Sequence, residues 1–141
     1  MVCCRCELCS YKERVYAFER IQVLNIESEK DPKIVKKNIK INPKDYFAHS
    51  YGVINEGEPE LIKIRAFWPQ NAYLKDVPLH HSQEIVEECD GYTDFEVFIR
   101  PTYDFIQALL SNREQLVVME PQSLRLEMLN ILKNMIGRYG A

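Results

Sequence analysis

The sequence predicts an α+β fold: a ferredoxin-like βαββαβ unit with an added C-terminal helix, preceded by a β-hairpin. Two observations carry this reading. From Glu60 onward, apolar residues recur with period two or at helical spacing, in the order strand, helix, strand, strand, helix, strand, long helix. The first six of these elements, in that order, make the βαββαβ unit. Asp90-Gly91, a hairpin-type turn, then falls between the two consecutive strands, where the unit needs one.

The elements follow in order. Residues 1–9 read as a strand, Tyr11-Lys12-Glu13 as a tight connection, and Arg14 to Ile26 as a second strand. Val15, Ala17, Glu19 and Ile21 share one face of that second strand; Tyr16, Phe18, Arg20 and Gln22 share the other. A two-stranded hairpin alone is marginal in water, so it needs further strands or the rest of the chain. Residues 27–44, rich in Glu, Lys, Asp and Pro, read as a linker with room for a short strand at Lys33 to Val35. Asp45 to Ser50 reads as a short helix ended by Gly52. Glu60 to Trp68 alternates Ile62, Ile64 and Ala66 against Leu61, Lys63, Arg65 and Phe67. Pro69 suits a first helical position, and Gln70 to Val77 follows as a helix. Ser82 to Cys89 reads as a strand, and Phe95, Val97 and Ile99 alternate in the next. Thr102 is an N-cap candidate for a helix burying Phe105, Ile106, Leu109 and Leu110. Leu116 to Met119 is a short strand. Pro121 opens the last helix, in which Leu124, Met128, Ile131, Leu132, Met135 and Ile136 are expected to form one apolar stripe.

The chain has 141 residues, 46% apolar and 28% charged, a globular composition sufficient for one domain or a small domain plus part of another. No apolar run approaches the ~18 residues of a membrane span. The start, MVCCRCEL, is unlike a secretory signal, so a cytoplasmic protein without membrane attachment is expected. The net charge of −3 argues against a strongly basic nucleic-acid binder. The charge is uneven: residues 1–40 hold nine Lys/Arg against six Asp/Glu, and the remainder nine against fifteen. Two parts are therefore expected, residues 1–42 and 43–141.

Few residues suggest chemistry. Cys4, Cys6 and Cys9 offer thiols, but strand parity puts Cys9 opposite the other two, and a zinc site wants four converging ligands. Small thiols packed in a strand pair are the better reading, and no metal is expected. His80 and His81, on an extended segment, should point to opposite sides. Glu84, Glu87, Glu88 and Asp90 read as a solvated hairpin edge that discourages aggregation. There is no glycine-rich phosphate loop and no nucleophile elbow, so no catalytic residue, cofactor or enzymatic activity is expected. Arg14 and Arg20 share a face with Tyr16 and Phe18, and Arg5 on the neighbouring strand could join them. Guanidinium groups among aromatic rings suit phosphate contact with base stacking. An outer face with Arg stems packed on rings is the plainer alternative.

The stretch RVYAFERI (Arg14 to Ile21) resembles the R-x-[FY]-x-L-[DE]-R-I segment of WYL-domain proteins, which are bacterial transcriptional regulators. DYFAHSYGV (Asp45 to Val53), PLHHSQ (Pro78 to Gln83), FIRPTYDFIQALLS (Phe98 to Ser111) and MEPQSLRLEMLNILKNMIGRY (Met119 to Tyr139) are similar, in order, to the C-terminal extension of those regulators. The resemblance implies a helix-turn-helix that binds DNA, then an Sm-like barrel that senses an effector, then a ferredoxin-like extension contributing to dimer contacts. On this resemblance residues 1–42 are a β-hairpin remnant of the Sm-like barrel, and residues 43–141 are the extension. The helix-turn-helix has no counterpart in this sequence.

The expected function is therefore a non-enzymatic regulatory module: the C-terminal effector-sensing and dimerisation part of a WYL-type regulator. Its ligand would be a nucleic acid or nucleotide-like anion held by Arg5, Arg14, Tyr16 and Arg20. The alternative is a dimerisation domain without ligand.

Overall fold

Alternating side chains build the sheet, and the sheet then determines where everything else packs. The computed structural model describes residues 42–140; the expected hairpin and linker lie outside the described residues. Four strands, β1 (Glu60–Phe67), β2 (Glu84–Cys89), β3 (Tyr92–Ile99) and β4 (Leu116–Glu120), pair antiparallel in the order β2-β3-β1-β4. The helices are α1 (Pro43–Tyr46), α2 (Gln70–Asp76), α3 (Tyr103–Ser111) and α4 (Gln122–Arg138). This order and pairing are those of a ferredoxin-like unit with an added C-terminal helix.

The register sorts the side chains by face. Ile62 sits opposite Val97, Ile64 opposite Phe95 and Ala66 opposite Thr93, and all six are fully buried. Leu74 of α2, Phe105, Ile106 and Leu109 of α3, Leu116 and Val118 of β4, and Leu124 of α4 complete the core against that inner face. Full burial of a large aliphatic or aromatic side chain stabilises by roughly 1.5–3 kcal/mol. The inner face thus supplies most of the energy holding the unit together. It also leaves the other sheet face free to carry charge.

Several boundaries differ from expectation. The first helix covers Pro43–Tyr46 rather than Asp45 to Ser50. Asn42 caps it: its Oδ1 accepts from Lys44 N at 3.1 Å and its Nδ2 donates to Asp45 Oδ2 at 2.8 Å. Pro43 then takes a first helical position, so the Asn-Pro pair is the true start signal. Thr102 does occupy the N-cap of α3, but its hydroxyl makes no capping bond and is buried without a partner. The strand expected from Ser82 begins at Glu84. Ser82 and Gln83 belong to a turn in which Gln83 Oε1 accepts from Leu79 N at 2.9 Å and Nε2 donates to Leu74 O at 2.8 Å. The last helix does not bury one stripe. Leu124 is buried and Met128 and Ile131 are partly buried against the core, while Leu132, Met135 and Ile136 are exposed.

Residues 47–57 run across the unit as a strap before β1. Arg100 N donates to His49 O at 2.9 Å, and Arg100 Nε donates to Gly57 O at 2.9 Å. Between these ties, Asp104 Oδ2 accepts from Val53 N at 3.2 Å and from Ile54 N at 3.4 Å. Gly52 turns the chain there at φ +78°, a left-handed conformation that suits glycine. Tyr51 meets Phe105 edge-on with ring centroids 5.8 Å apart.

Candidate functional site

The outer face of the sheet is built by the residues that alternate with the core. β1 contributes Leu61, Lys63, Arg65 and Phe67; β3 contributes Tyr92, Asp94, Glu96 and Phe98. Arg65 lies opposite Asp94, and the pair is bidentate: Nε to Oδ1 at 2.7 Å and Nη2 to Oδ2 at 2.9 Å. Lys63 Nζ stands 3.5 Å from Asp94 Oδ2. The Arg65 guanidinium also lies 3.8 Å from the centroid of the Tyr92 ring. Asp94 is fully buried beneath these groups, although it sits on the face away from the core.

The electrostatics follow from those contacts. The Arg65 hydrogen bonds hold the Asp94 carboxyl below the usual carboxylate range, against the opposing effect of burial. The same carboxylate raises the Arg65 pKa. An ionised carboxylate already satisfied by two cations has no proton to give. It is also poorly placed to accept one, so general acid–base work is not its role. The cluster clamps the centre of an otherwise open sheet face. Around it Leu61, Phe67, Phe98 and, on β4, Val117 keep exposed apolar surface.

At one end of that face the chain's three histidines come near one another. His80 and His81 have ring centroids 3.9 Å apart, on the same side rather than on opposite sides. The correction has a simple cause: the segment before β2 is a turn, so the alternation of an extended strand does not apply. His80 Nδ1 is 2.7 Å from Ser82 Oγ, which itself accepts from Phe98 N and donates to Phe98 O, both at 3.1 Å. His49 meets the Phe98 ring edge-on at 4.9 Å. Burial lowers the His80 pKa, and the neighbouring His81 acts in the same direction.

The expected binding residues Arg5, Arg14, Tyr16 and Arg20 lie outside the described residues, as do the cysteines of the N-terminal cluster. Cys89 is a free thiol on β2. Among the described residues, no three His, Cys, Asp or Glu side chains converge as metal ligands. The carboxylates of the β2–β3 hairpin lie on an edge strand as expected. Glu84, Glu87 and Glu88 are exposed, and Glu88 Oε1 accepts from Lys75 Nζ at 2.6 Å.

The last helix also exposes apolar side chains. Leu126, Leu129, Leu132, Met135 and Ile136 are each 43–54% exposed, and Tyr139 just beyond the helix is 86% exposed. Among the described residues, no helix is long and apolar enough to cross a membrane.

Comparison with known families settles the kind of unit. A profile for the WCX domain matches residues 58–136, from just before β1 into the last turn of α4. The chain belongs to the WCX-domain family. This domain is associated with WYL-domain regulators, which agrees with the resemblance read from the sequence. No curated protein matches the chain. The WCX match takes in the whole four-stranded sheet, the Arg65–Asp94 clamp and most of α4.

Two features of the described residues were not singled out from sequence. The Lys63, Arg65 and Asp94, Glu96 alternations put opposite charges at period two on neighbouring strands, a signal that the strand register converts into contacts. The grouping of His49 with His80 and His81 had no local signal. It depends on the strap crossing the end of β3.

Proposed function

We propose that this chain is a non-enzymatic regulatory module, the C-terminal effector-sensing and dimerisation part of a WYL-type transcriptional regulator, acting in the cytoplasm. The observation that carries the reading is the succession within one chain: a WYL-like RVYAFERI segment, then a WCX unit over residues 58–136. The boundary between the two parts is placed near residue 42. A regulator of this plan would contact DNA through a helix-turn-helix, not through these residues.

The effector is a nucleic acid or nucleotide-like anion held by Arg14 and Arg20, with Arg5 and Tyr16 beside them. Guanidinium groups pair bidentately with phosphate, and an aromatic ring offers a stacking surface. The test is fluorescence anisotropy of a labelled single-stranded oligonucleotide titrated with the full chain at several salt concentrations. Affinity should fall as salt rises, and Arg20→Ala should weaken binding and reduce the salt slope by about 1. An Arg20→Ala protein with unchanged affinity and slope overturns the assignment.

The exposed apolar surface of α4 favours a second reading, a dimerisation domain that needs no ligand. It predicts self-association with no oligonucleotide binding at any salt concentration.

A further inference from the structure

The strap is lightly fastened at the end that carries His49. Among the described residues, one backbone hydrogen bond ties residues 47–50 to the rest of the unit, from Arg100 N to His49 O at 2.9 Å. The His49 ring packs edge-on against Phe98, and its Nδ1 is buried with no hydrogen-bond partner. The backbone of Ala48, the preceding residue, meets the His80 ring, and that ring lies 3.9 Å from His81, centroid to centroid. The turn that carries His80 and His81 is fastened far better. Ser82 Oγ holds both Phe98 N and Phe98 O, and the Gln83 side chain holds Leu79 N and Leu74 O. When charge builds up among the three rings, the strap is therefore the partner that gives way.

We propose that His49, His80 and His81 form a proton-operated latch: neutral rings let the strap lie against Phe98, and protonation of the group lifts residues 47–50 while the sheet stays folded. A ring that takes a proton gains a second N–H and a positive charge. Charged together, His80 and His81 repel at 3.9 Å, and the half-buried His80 has little water to screen the repulsion. On His49, a proton would leave a cationic N–H at the buried Nδ1 with no acceptor. Lifting the strap carries His49 into water and away from the other rings. The surrounding charges do not neutralise the group. Arg100, just past β3, is a further cation, with its Nη1 buried and unpartnered. Asp104 of α3 is engaged by Val53 N and Ile54 N, and Asp45 of α1 by Asn42. On the sheet face beyond Phe98, Glu96 of β3 lies between Lys63 of β1 and Glu84 of β2. No carboxylate is among the groups that act on His80: burial, His81 and His49 lower its pKa, and the Ala48 backbone raises it. The direction follows: the latch is closed above the His80 value and opens as pH falls through it.

The experiment is amide hydrogen exchange of the full chain by NMR at about pH 7.5 and about pH 5.5, each rate divided by the intrinsic rate at that pH. Arg100 N reports the strap, Phe98 N the Ser82 turn, and Ile64 N and Val97 N the paired strands β1 and β3. Protection of Arg100 should fall about tenfold or more at the lower pH while the other three amides keep theirs. His49→Gln and His81→Gln should each reduce that fall. His81 is exposed, so its variant decides the matter where His49→Gln loosens the strap at both pH values. Arg100 protection that does not change with pH overturns the latch. So does a loss shared by Ile64 and Val97, which is global unfolding. A loss at Phe98 with Arg100 intact overturns it by moving the opening to the turn. A fall of full size in either variant overturns it as well.

Discussion

Replacing Gly52 by alanine tests how the strap is held. Gly52 adopts φ +78°, and a Cβ built there would come within 2.5 Å of Asp104 Oδ2 and 3.1 Å of its Cγ. The substitution therefore acts in two ways. A left-handed backbone costs an L-residue roughly 1–2 kcal/mol. The methyl also displaces a carboxylate that accepts from Val53 N and Ile54 N. Those bonds are long, so each is worth the lower part of the usual range, about 0.5–1 kcal/mol. Together Gly52→Ala should cost about 2–4 kcal/mol, and Asp104→Ala alone about 1–2 kcal/mol. In an Asp104→Ala background the clash is gone and the bonds are already lost. Gly52→Ala should then cost only the backbone share, about 1–2 kcal/mol, which leaves a coupling of about 1–2 kcal/mol between the two sites. Urea unfolding followed by circular dichroism measures all four corners of the cycle. A Gly52→Ala cost below about 0.5 kcal/mol, within the noise of a surface change, refutes the conformational argument. Equal costs in both backgrounds refute the steric one.

The remaining predictions concern charge. Asp94 titrates below its unfolded value because Arg65 binds its ionised form, so its contribution to stability is complete above about pH 3.9 and is lost as pH falls through the lower folded value. Asp94→Asn should flatten that acid limb in urea midpoints measured from pH 5 to pH 2; a variant whose acid limb matches the wild type counts against the clamp. His80 also has a lowered value, so its contribution is complete above about pH 6.5 and declines as pH falls through the folded value. The His80 ring should titrate below 6.5 by NMR, and His80→Asn should remove the accompanying decline in stability; a His80 midpoint at or above 6.5 sinks the assignment.

The fold was legible where one face of an element differs sharply from the other. In β1, Ile62, Ile64 and Ala66 alternate with Lys63 and Arg65, and a slip of one residue would drive two cations into the core. That penalty fixes the register, and with it the meeting of Arg65 with Asp94. The histidine grouping was illegible because it depends on a turn at Pro78 to Gln83 that delays the start of β2 by two residues relative to what alternation suggested. The last helix failed for a different reason. Its apolar residues span well over half of the helical circumference at 100° per residue, wider than the stripe a helix usually needs to cover one core. Periodicity places Leu124 and Leu132 on the wheel but does not say how wide an arc the neighbouring strands and helices can cover. Here Leu124, Met128 and Ile131 meet the core and the arc through Leu129, Leu132 and Ile136 does not. The excess width was already in the sequence. Read as a surplus rather than as one broad stripe, it is an arc wider than the unit's own core covers.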